Sequence, residues 1–192
     1  MPERGLLIVI SGPSGSGKGT VIAELFRNCS GIFYSVSATT RAPRPGEVDG
    51  KNYFFLTKEK FENAIEVGGM LEYANYCGNY YGTPRAAVEE RLARGEDVVL
   101  EIEVQGAAKI HRVCPESVSI FLMPPSVEEL EKRLRGRGTE SEDIILGRLR
   151  TARTEMSLAG EYDYIVINDE VARAAGEISE IIDREKAKRR GE

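Results

Sequence analysis

The sequence predicts an α/β fold: a parallel sheet with helices on both faces, carrying an inserted small α+β unit and a helical lid. Three observations carry this expectation. The apolar run Leu6–Ile10 leads into the glycine-rich stretch Gly12–Thr20, GPSGSGKGT, and then into a helix-like stretch, Val21–Asn28. A second apolar run, Val98–Leu100, ends in Glu101 and Glu103, as a buried parallel strand does when it delivers carboxylates to a cleft at its C-terminal edge. Strand-like and helix-like stretches alternate along the chain, the pattern of strands joined by crossover helices.

Strand, glycine turn and helix start together make a phosphate cradle. Glycines let consecutive N–H groups aim inward, and the helix N-terminus adds partial positive charge where phosphate oxygens sit. Gly12, Gly17 and Lys18 fit the pattern G-x-x-x-x-G-K. Gly12, Pro13, Ser14, Gly15, Ser16, Gly17, Lys18, Gly19 and Thr20 therefore form a candidate site for a nucleotide polyphosphate, with Lys18 as its mobile charge. The hydroxyl expected directly after the lysine comes one place later, at Thr20 behind Gly19, which leaves direct magnesium ligation open.

Ile32–Val36 reads as a short strand. The next stretch, Ser37–Lys51, is polar and turn-rich, and Pro43 and Pro45 forbid a regular helix there. Arg41 and Arg44 are thus expected on a stiff loop, which is either a solvated linker or, as its hydroxyl-rich company favours, part of a site. Asn52–Leu56 and Met70–Asn75 read as strands around a helix, Lys58–Val67, with Phe61, Ala64 and Ile65 on one face. Gly78 and Gly82 bracket Asn79-Tyr80-Tyr81, whose rings either pack in a hairpin or offer hydroxyls to a ligand.

Pro84 suits the first turn of a helix Arg85–Arg94 that stops at Gly95. Beyond Val98–Leu100 and its acids a new helix begins after Glu103. Val118–Met123 is a strand closed by Pro124-Pro125, and Ser126 with Glu129 makes a capping box for a helix to Arg135. Gly136 and Gly138 flank Arg137 as a hinge, and a second capping box, Thr139 with Glu142, opens a helix through Arg148, Arg150 and Arg153. These arginines read as a solvated face or, given the phosphate loop, as movable cations that close over reacting phosphates. Tyr164–Ile167 is the last strand, ending at Asn168-Asp169. Val171, Ala174, Ala175, Ile178, Ile181 and Ile182 form the apolar face of a C-terminal helix.

With 192 residues, 41% hydrophobic and 30% charged, the chain suits one globular domain rather than a disordered or membrane protein. Its 26 basic against 31 acidic side chains leave a net charge of −5, so bulk charge draws it to neither nucleic acid nor a membrane surface. The opening apolar run is too short for a secretory signal, and a cytoplasmic location is expected. Cys29, Cys77 and Cys114 lack the paired spacing of a zinc site and read as reduced structural residues. The one histidine, His111, reads as a structural or surface residue.

GPSGSGKGT, SVSATTRAPRPGEVDGKNYFF, LEYANYCGNYYGTP, LEIEVQGA, RLRGRGTES and IVIND occur in the order and spacing of guanylate kinases, and the resemblance runs from Leu6 to Ile182. It implies a P-loop nucleoside monophosphate kinase that transfers the γ-phosphate of ATP to GMP, and to dGMP, giving ADP and GDP with magnesium, in purine nucleotide metabolism and GMP recycling. It also implies one domain over 1–192: a core of about 1–36, 84–134 and 157–192, a GMP-binding insertion at 37–83 and a lid at 135–156. Oligomeric state stays open.

Carried over by motif position, the resemblance implies that Ser37, Glu72, Thr83 and Glu103 face guanine, and that Arg41, Arg44, Tyr53 and Tyr81 hold the GMP phosphate. Lys18, Arg41, Arg137 and Arg148 would be catalytic, Asn168 would lie beside the ATP adenine, and Thr20 and Glu101 would hold magnesium, Glu101 through water. Base chemistry agrees: guanine presents N1–H and N2–H₂ donors beside the O6 acceptor, so carboxylates take the donors and a hydroxyl gives to O6. No general base is required, because a phosphate whose second pKa is about 6 already carries an unprotonated oxygen near neutral pH. Adenylate kinases share GKGT, but their D-G-F-P-R segment is absent here, where Asp49-Gly50 precedes Lys51-Asn52. Guanylate-kinase-like interaction modules typically have degraded phosphate loops, whereas Lys18 is present.

Overall fold

Five consecutive residues, Leu7–Ser11, are all buried, a pattern that fits a strand covered on both faces. The computed structural model describes residues 3–76, 78–136 and 141–191. Among these the chain runs β1 (Leu7–Ser11), α1 (Lys18–Asn28), β2 (Ile32–Tyr34), β3 (Ala38–Thr39), β4 (Phe54–Phe55), α2 (Lys58–Glu66), β5 (Met70–Tyr76), β6 (Asn79–Pro84) and α3 (Arg85–Ala93). It continues with β7 (Asp97–Glu101), α4 (Val104–Val113), β8 (Val118–Met123), α5 (Val127–Arg135), α6 (Glu142–Ser157), a 3-10 turn at Ala159–Glu161, β9 (Tyr164–Ile167) and α7 (Val171–Arg190).

The core sheet has the order β2-β7-β1-β8-β9, with every pair parallel. Alternate residues of β1 feed two layers, because side chains of a strand point to opposite faces. Ile8 and Ile10 pack with Val21 and Leu25 of α1 and with Ala174, Ile178 and Ile182 of α7. Leu7 and Val9 pack with Val88 and Leu92 of α3 and Ala107 and Ile110 of α4. Register sets Ile10 opposite Glu101 and Ser11 opposite Phe121, so the loop after β1 and the acid ending β7 share one sheet edge.

The insertion is a second sheet, β4-β3-β6-β5, closed by α2. Thr57 caps α2 by accepting from the Lys60 N–H, and Phe61 is buried against Ala38 and Met70. Tyr80 stacks on Phe61 at 5.2 Å, so of the two tyrosines this one is core. The polar stretch 37–51 is not all loop: Ala38–Thr39 forms β3, held between β4 and β6. The expected strand Asn52–Leu56 shortens to Phe54–Phe55, because only those residues pair with β3. The first helix starts at Lys18, three residues earlier than expected, because the Thr20 and Val21 N–H groups already donate to the Gly17 carbonyl.

α5 opens as expected, Ser126 Oγ accepting from the Glu129 N–H. α6 begins at Glu142 with Ser141 at its cap position, while the expected Thr139 cap, Gly138 and Arg137 lie outside the described residues. Leu130 and Leu134 of α5 pack on Ile145, Leu149 and Ala152 of α6. Cys29 and Cys114 are free thiols, and Cys77 lies outside the described residues.

Candidate active site

Backbone sterics fix the phosphate loop. Gly12 has φ +149° and a Cβ there would lie 2.4 Å from the Leu122 carbonyl oxygen; at Gly17, with φ +90°, it would lie 2.4 Å from Asn168 Nδ2. Both positions exclude a side chain. Gly19 differs: a Cβ there meets nothing within 4 Å, so the backbone does not demand glycine where a hydroxyl residue was expected. Lys18 Nζ donates to the carbonyls of Gly12 at 2.6 Å and Pro13 at 3.1 Å. Beneath the loop, Asn168 is 3% exposed and its Nδ2 donates to the Ser16 carbonyl at 2.7 Å. Arg133 donates to the Ser16 carbonyl at 3.4 Å and to the Asn168 carbonyl at 3.0 Å. Sequence reasoning did not single out Arg133 as a site residue; its signal was the RLRGR run.

On α6, Arg148 and Glu155 stand seven residues apart and hence on one face, both half-buried. Burial pushes the Glu155 carboxyl up and the charge of Glu103 adds to this, while Lys18 and the Ser14 N–H favour the ionised form. Its Oε2 is buried without a hydrogen-bond partner among the described residues. This acid facing the loop also escaped the sequence reading, because nothing in its local pattern marks it.

At the insertion, Glu72 and Thr83 are register partners of β5 and β6. Both are buried, 7% and 1% exposed, and Thr83 Oγ1 donates to Glu72 Oε1 at 2.9 Å. Burial raises the Glu72 carboxyl above the usual range, opposed by the Thr83 bond and the Lys109 charge. α4 approaches so closely that a Cβ on Gly106 would lie 3.0 Å from Glu72 Oε2. Glu103, at the N-cap of that helix, is exposed one turn earlier. Ser37 is half-buried at the head of β3, and its carbonyl accepts from the Phe54 N–H.

Arg41 lies 5.5 Å from the Tyr53 ring centroid and 5.8 Å from that of Phe55. Tyr53 and Tyr81 meet edge to face at 6.1 Å. The Arg41 guanidinium forks onto Glu47, with both contacts at 2.9 Å. The Arg44 side chain is exposed, and its backbone N–H donates to Glu47 Oε2 at 2.7 Å. Glu47 was not anticipated; its signal was an acid three and six residues after the two arginines in one loop. Arg41, Tyr53 and Tyr81 thus form one cluster, while Lys18 and Asn168 belong to another.

Between the clusters stands Glu101, half-buried at the end of β7, accepting from the Tyr34 hydroxyl at 3.2 Å. Burial, then Glu101, pushes that hydroxyl well above its ordinary range. The charge of Glu101 also reaches Tyr53 of the insertion. Thr20 is exposed in the first turn of α1. Among the described residues no group of three or more His, Cys, Asp or Glu could hold a metal. The Thr20 hydroxyl and the Glu101 carboxylate are hard oxygen donors, of the kind that suits a cation keeping waters and substrate phosphates as its other ligands, which is the habit of magnesium. No helix of the described residues is long and apolar enough to cross a membrane.

Comparison with known proteins gives the same reading along nearly the whole chain. The family model described as guanylate kinase matches residues 4–185. A guanylate kinase of Streptococcus thermophilus (strain CNRZ 1066) is 59% identical over 186 residues, covering 96% of this chain and 89% of that protein. One of Desulfitobacterium hafniense (strain Y51) is 52% identical, covering 97% and 93%. Among solved structures, the guanylate kinase of Anaplasma phagocytophilum superposes with a TM-score of 0.77 at 37% identity, covering 96% of this chain and 87% of that one.

Proposed function

Because the chain belongs to the guanylate kinase family, we propose that its two clusters grip ATP and GMP and pass the γ-phosphate from one to the other, giving ADP and GDP. The observation that carries the choice of base is the buried Glu72–Thr83 pair. A carboxylate held out of water asks for donors, and guanine N1–H and N2–H₂ supply them, with Glu103 at the N-cap of the helix that abuts Glu72 and the Ser37 hydroxyl available to O6, since the Thr83 proton is given to Glu72. Adenine would set its N1 acceptor against the same acid.

Arg41, Arg44, Tyr53 and Tyr81 hold the GMP phosphate, and Arg41 belongs to the reacting end. The loop amides from Gly12 to Thr20 hold the ATP phosphates. Lys18, which now donates to loop carbonyls, turns to the charge that develops on the migrating group. Asn168 and Arg133 brace the loop on the adenine side. Arg148 of α6, with Arg137, closes over the phosphates and excludes water. Thr20 and Glu101 would hold magnesium, Glu101 through water, and the cation would supply neutralisation of phosphate charge. The core, the insertion at 37–83 and the lid at 135–156 are the three moving parts, and the enzyme works in the cytoplasm on small-molecule substrates.

The test is a coupled ADP-release assay with ATP and magnesium, offering GMP, AMP, UMP and CMP. Strong preference for GMP is expected, with turnover falling about 10²–10³-fold in Lys18→Ala, as when one stabiliser of transition-state charge is removed. Equal use of AMP would overturn the roles of Glu72 and Glu103. Binding of GMP without turnover would make the chain an interaction module.

A further inference from the structure

The Arg41 guanidinium has five N–H donors, and three of them are spent inside the loop. NH1 donates to Glu47 Oε2 at 2.9 Å and to the Ala42 carbonyl at 2.7 Å, and NH2 donates to Glu47 Oε1 at 2.9 Å. What the loop leaves over is the side-on edge, Nε–H and the second NH2 hydrogen, with the Tyr81 hydroxyl also within hydrogen-bonding reach of the guanidinium; this edge fits two phosphate oxygens as well as the end-on edge fits a carboxylate. The rings of Tyr53 and Phe55 fix the plane of the guanidinium, and Glu47 fixes its rotation within that plane. The same carboxylate accepts from the Arg44 backbone N–H at 2.7 Å, so one acid holds the Arg41 side chain and the loop backbone at Arg44. Arg41 and Glu47 side chains are only 16% and 18% exposed, which is unusual company for a surface ion pair.

We propose that Glu47 is a positioning residue of the GMP phosphate grip: it occupies the end-on fork of Arg41 and thereby aims the side-on edge at the phosphate. This rests on the assignment of Arg41 to GMP phosphate. The opposite possibility is that Glu47 is a resident competitor, an anion sitting where phosphate should sit. The donor count argues against it, since the edge that Glu47 uses is not the edge left over. Its charge does repel a phosphate dianion, but the Arg41 charge paired with it offsets that repulsion, whereas a misaimed guanidinium is felt at contact distance. Both Arg41, through Glu47, and Glu47, through Arg41 and then the Arg44 N–H, are held firmly in their charged forms.

The experiment compares the unaltered protein with Glu47→Gln, whose uncharged amide offers one acceptor oxygen where the fork uses two. The kcat/KM for GMP should fall roughly tenfold, with KM for GMP rising more than kcat falls, the loss of one charge-assisted fork. Competitive inhibition by guanosine, which lacks the phosphate, should be unchanged. In an Arg41→Lys background, where no fork exists, the same substitution should add less than about twofold. An unchanged or lower KM for GMP, equal weakening of GMP and guanosine, or full additivity with Arg41→Lys would overturn the proposal. Failure of the unaltered protein to phosphorylate GMP would instead remove the functional reading on which it rests.

Discussion

Glu72 shows at the scale of one residue what burying a carboxyl does to stability. Its carboxyl is 7% exposed and burial raises its pKa in the folded chain. A group raised on folding contributes most below its unfolded value, and that contribution is lost as pH rises through the folded value. At pH 8, far above the unfolded value, keeping this carboxyl out of water is therefore a burden. Glu72→Gln keeps an acceptor for Thr83 and sheds the charge, so its melting temperature should exceed that of the unaltered protein at pH 8. The gain, roughly 2–4 °C for each kcal/mol released, should shrink to nothing near pH 4. A difference that does not change with pH would show that Glu72 is not ionised against its surroundings. The substitution belongs to the class that exchanges activity for stability.

At the scale of elements, the glycine loop and α6 are joined through α5. A Cβ on Gly15 would lie 2.9 Å from Leu130 Cδ1 and 3.0 Å from Leu134 Cδ2, and these leucines also carry α6 through Ile145, Leu149 and Ala152. This cluster is distinct from those flanking the core sheet. Leu149→Ala, which removes a side chain 5% exposed, should cost about 2–5 kcal/mol and spend it locally. Hydrogen exchange should quicken in α6 while the amides of β1, β7 and β8 hold, and kcat should fall more than KM for GMP rises, because Arg148 rides on α6. Uniform quickening through the core sheet would show that the lid is not a separable unit.

At the scale of the whole molecule, the two sheets meet where α4 packs on β5: Leu71 lies in one cluster with Ile102 and Ala107, and Gly106 abuts Glu72. Much of this was legible in the sequence, for identifiable reasons. The buried runs of β1, β7 and β8, the glycine loop and the apolar stripe of α7 are local patterns with one structural solution, and the strand Tyr164–Ile167 was read with the bounds it has. β3 was not legible, because two residues in a polar stretch become a strand only through partners that the fold brings from elsewhere in the chain, in β4 and in the more distant β6. Arg133, Glu47 and Glu155 were missed for a similar reason: each acts on a segment brought to it by the fold, or on a side chain whose rotation no sequence pattern fixes. Ser37, Glu72, Thr83, Arg41, Tyr53 and Tyr81 were named from motif order. The structure places all six in the small sheet and its adjoining loop.

The central claim is that this small sheet selects guanine through a buried carboxylate and the core loop transfers phosphate to what it selects. The most direct measurement is the ratio of kcat/KM for GMP to that for AMP, in the unaltered protein and in Glu72→Gln. A large ratio that falls by about 5- to 150-fold in the variant, the equivalent of roughly 1–3 kcal/mol for one buried hydrogen-bonding partner, is the expected result. A ratio unmoved by the substitution would mean that the base is read elsewhere.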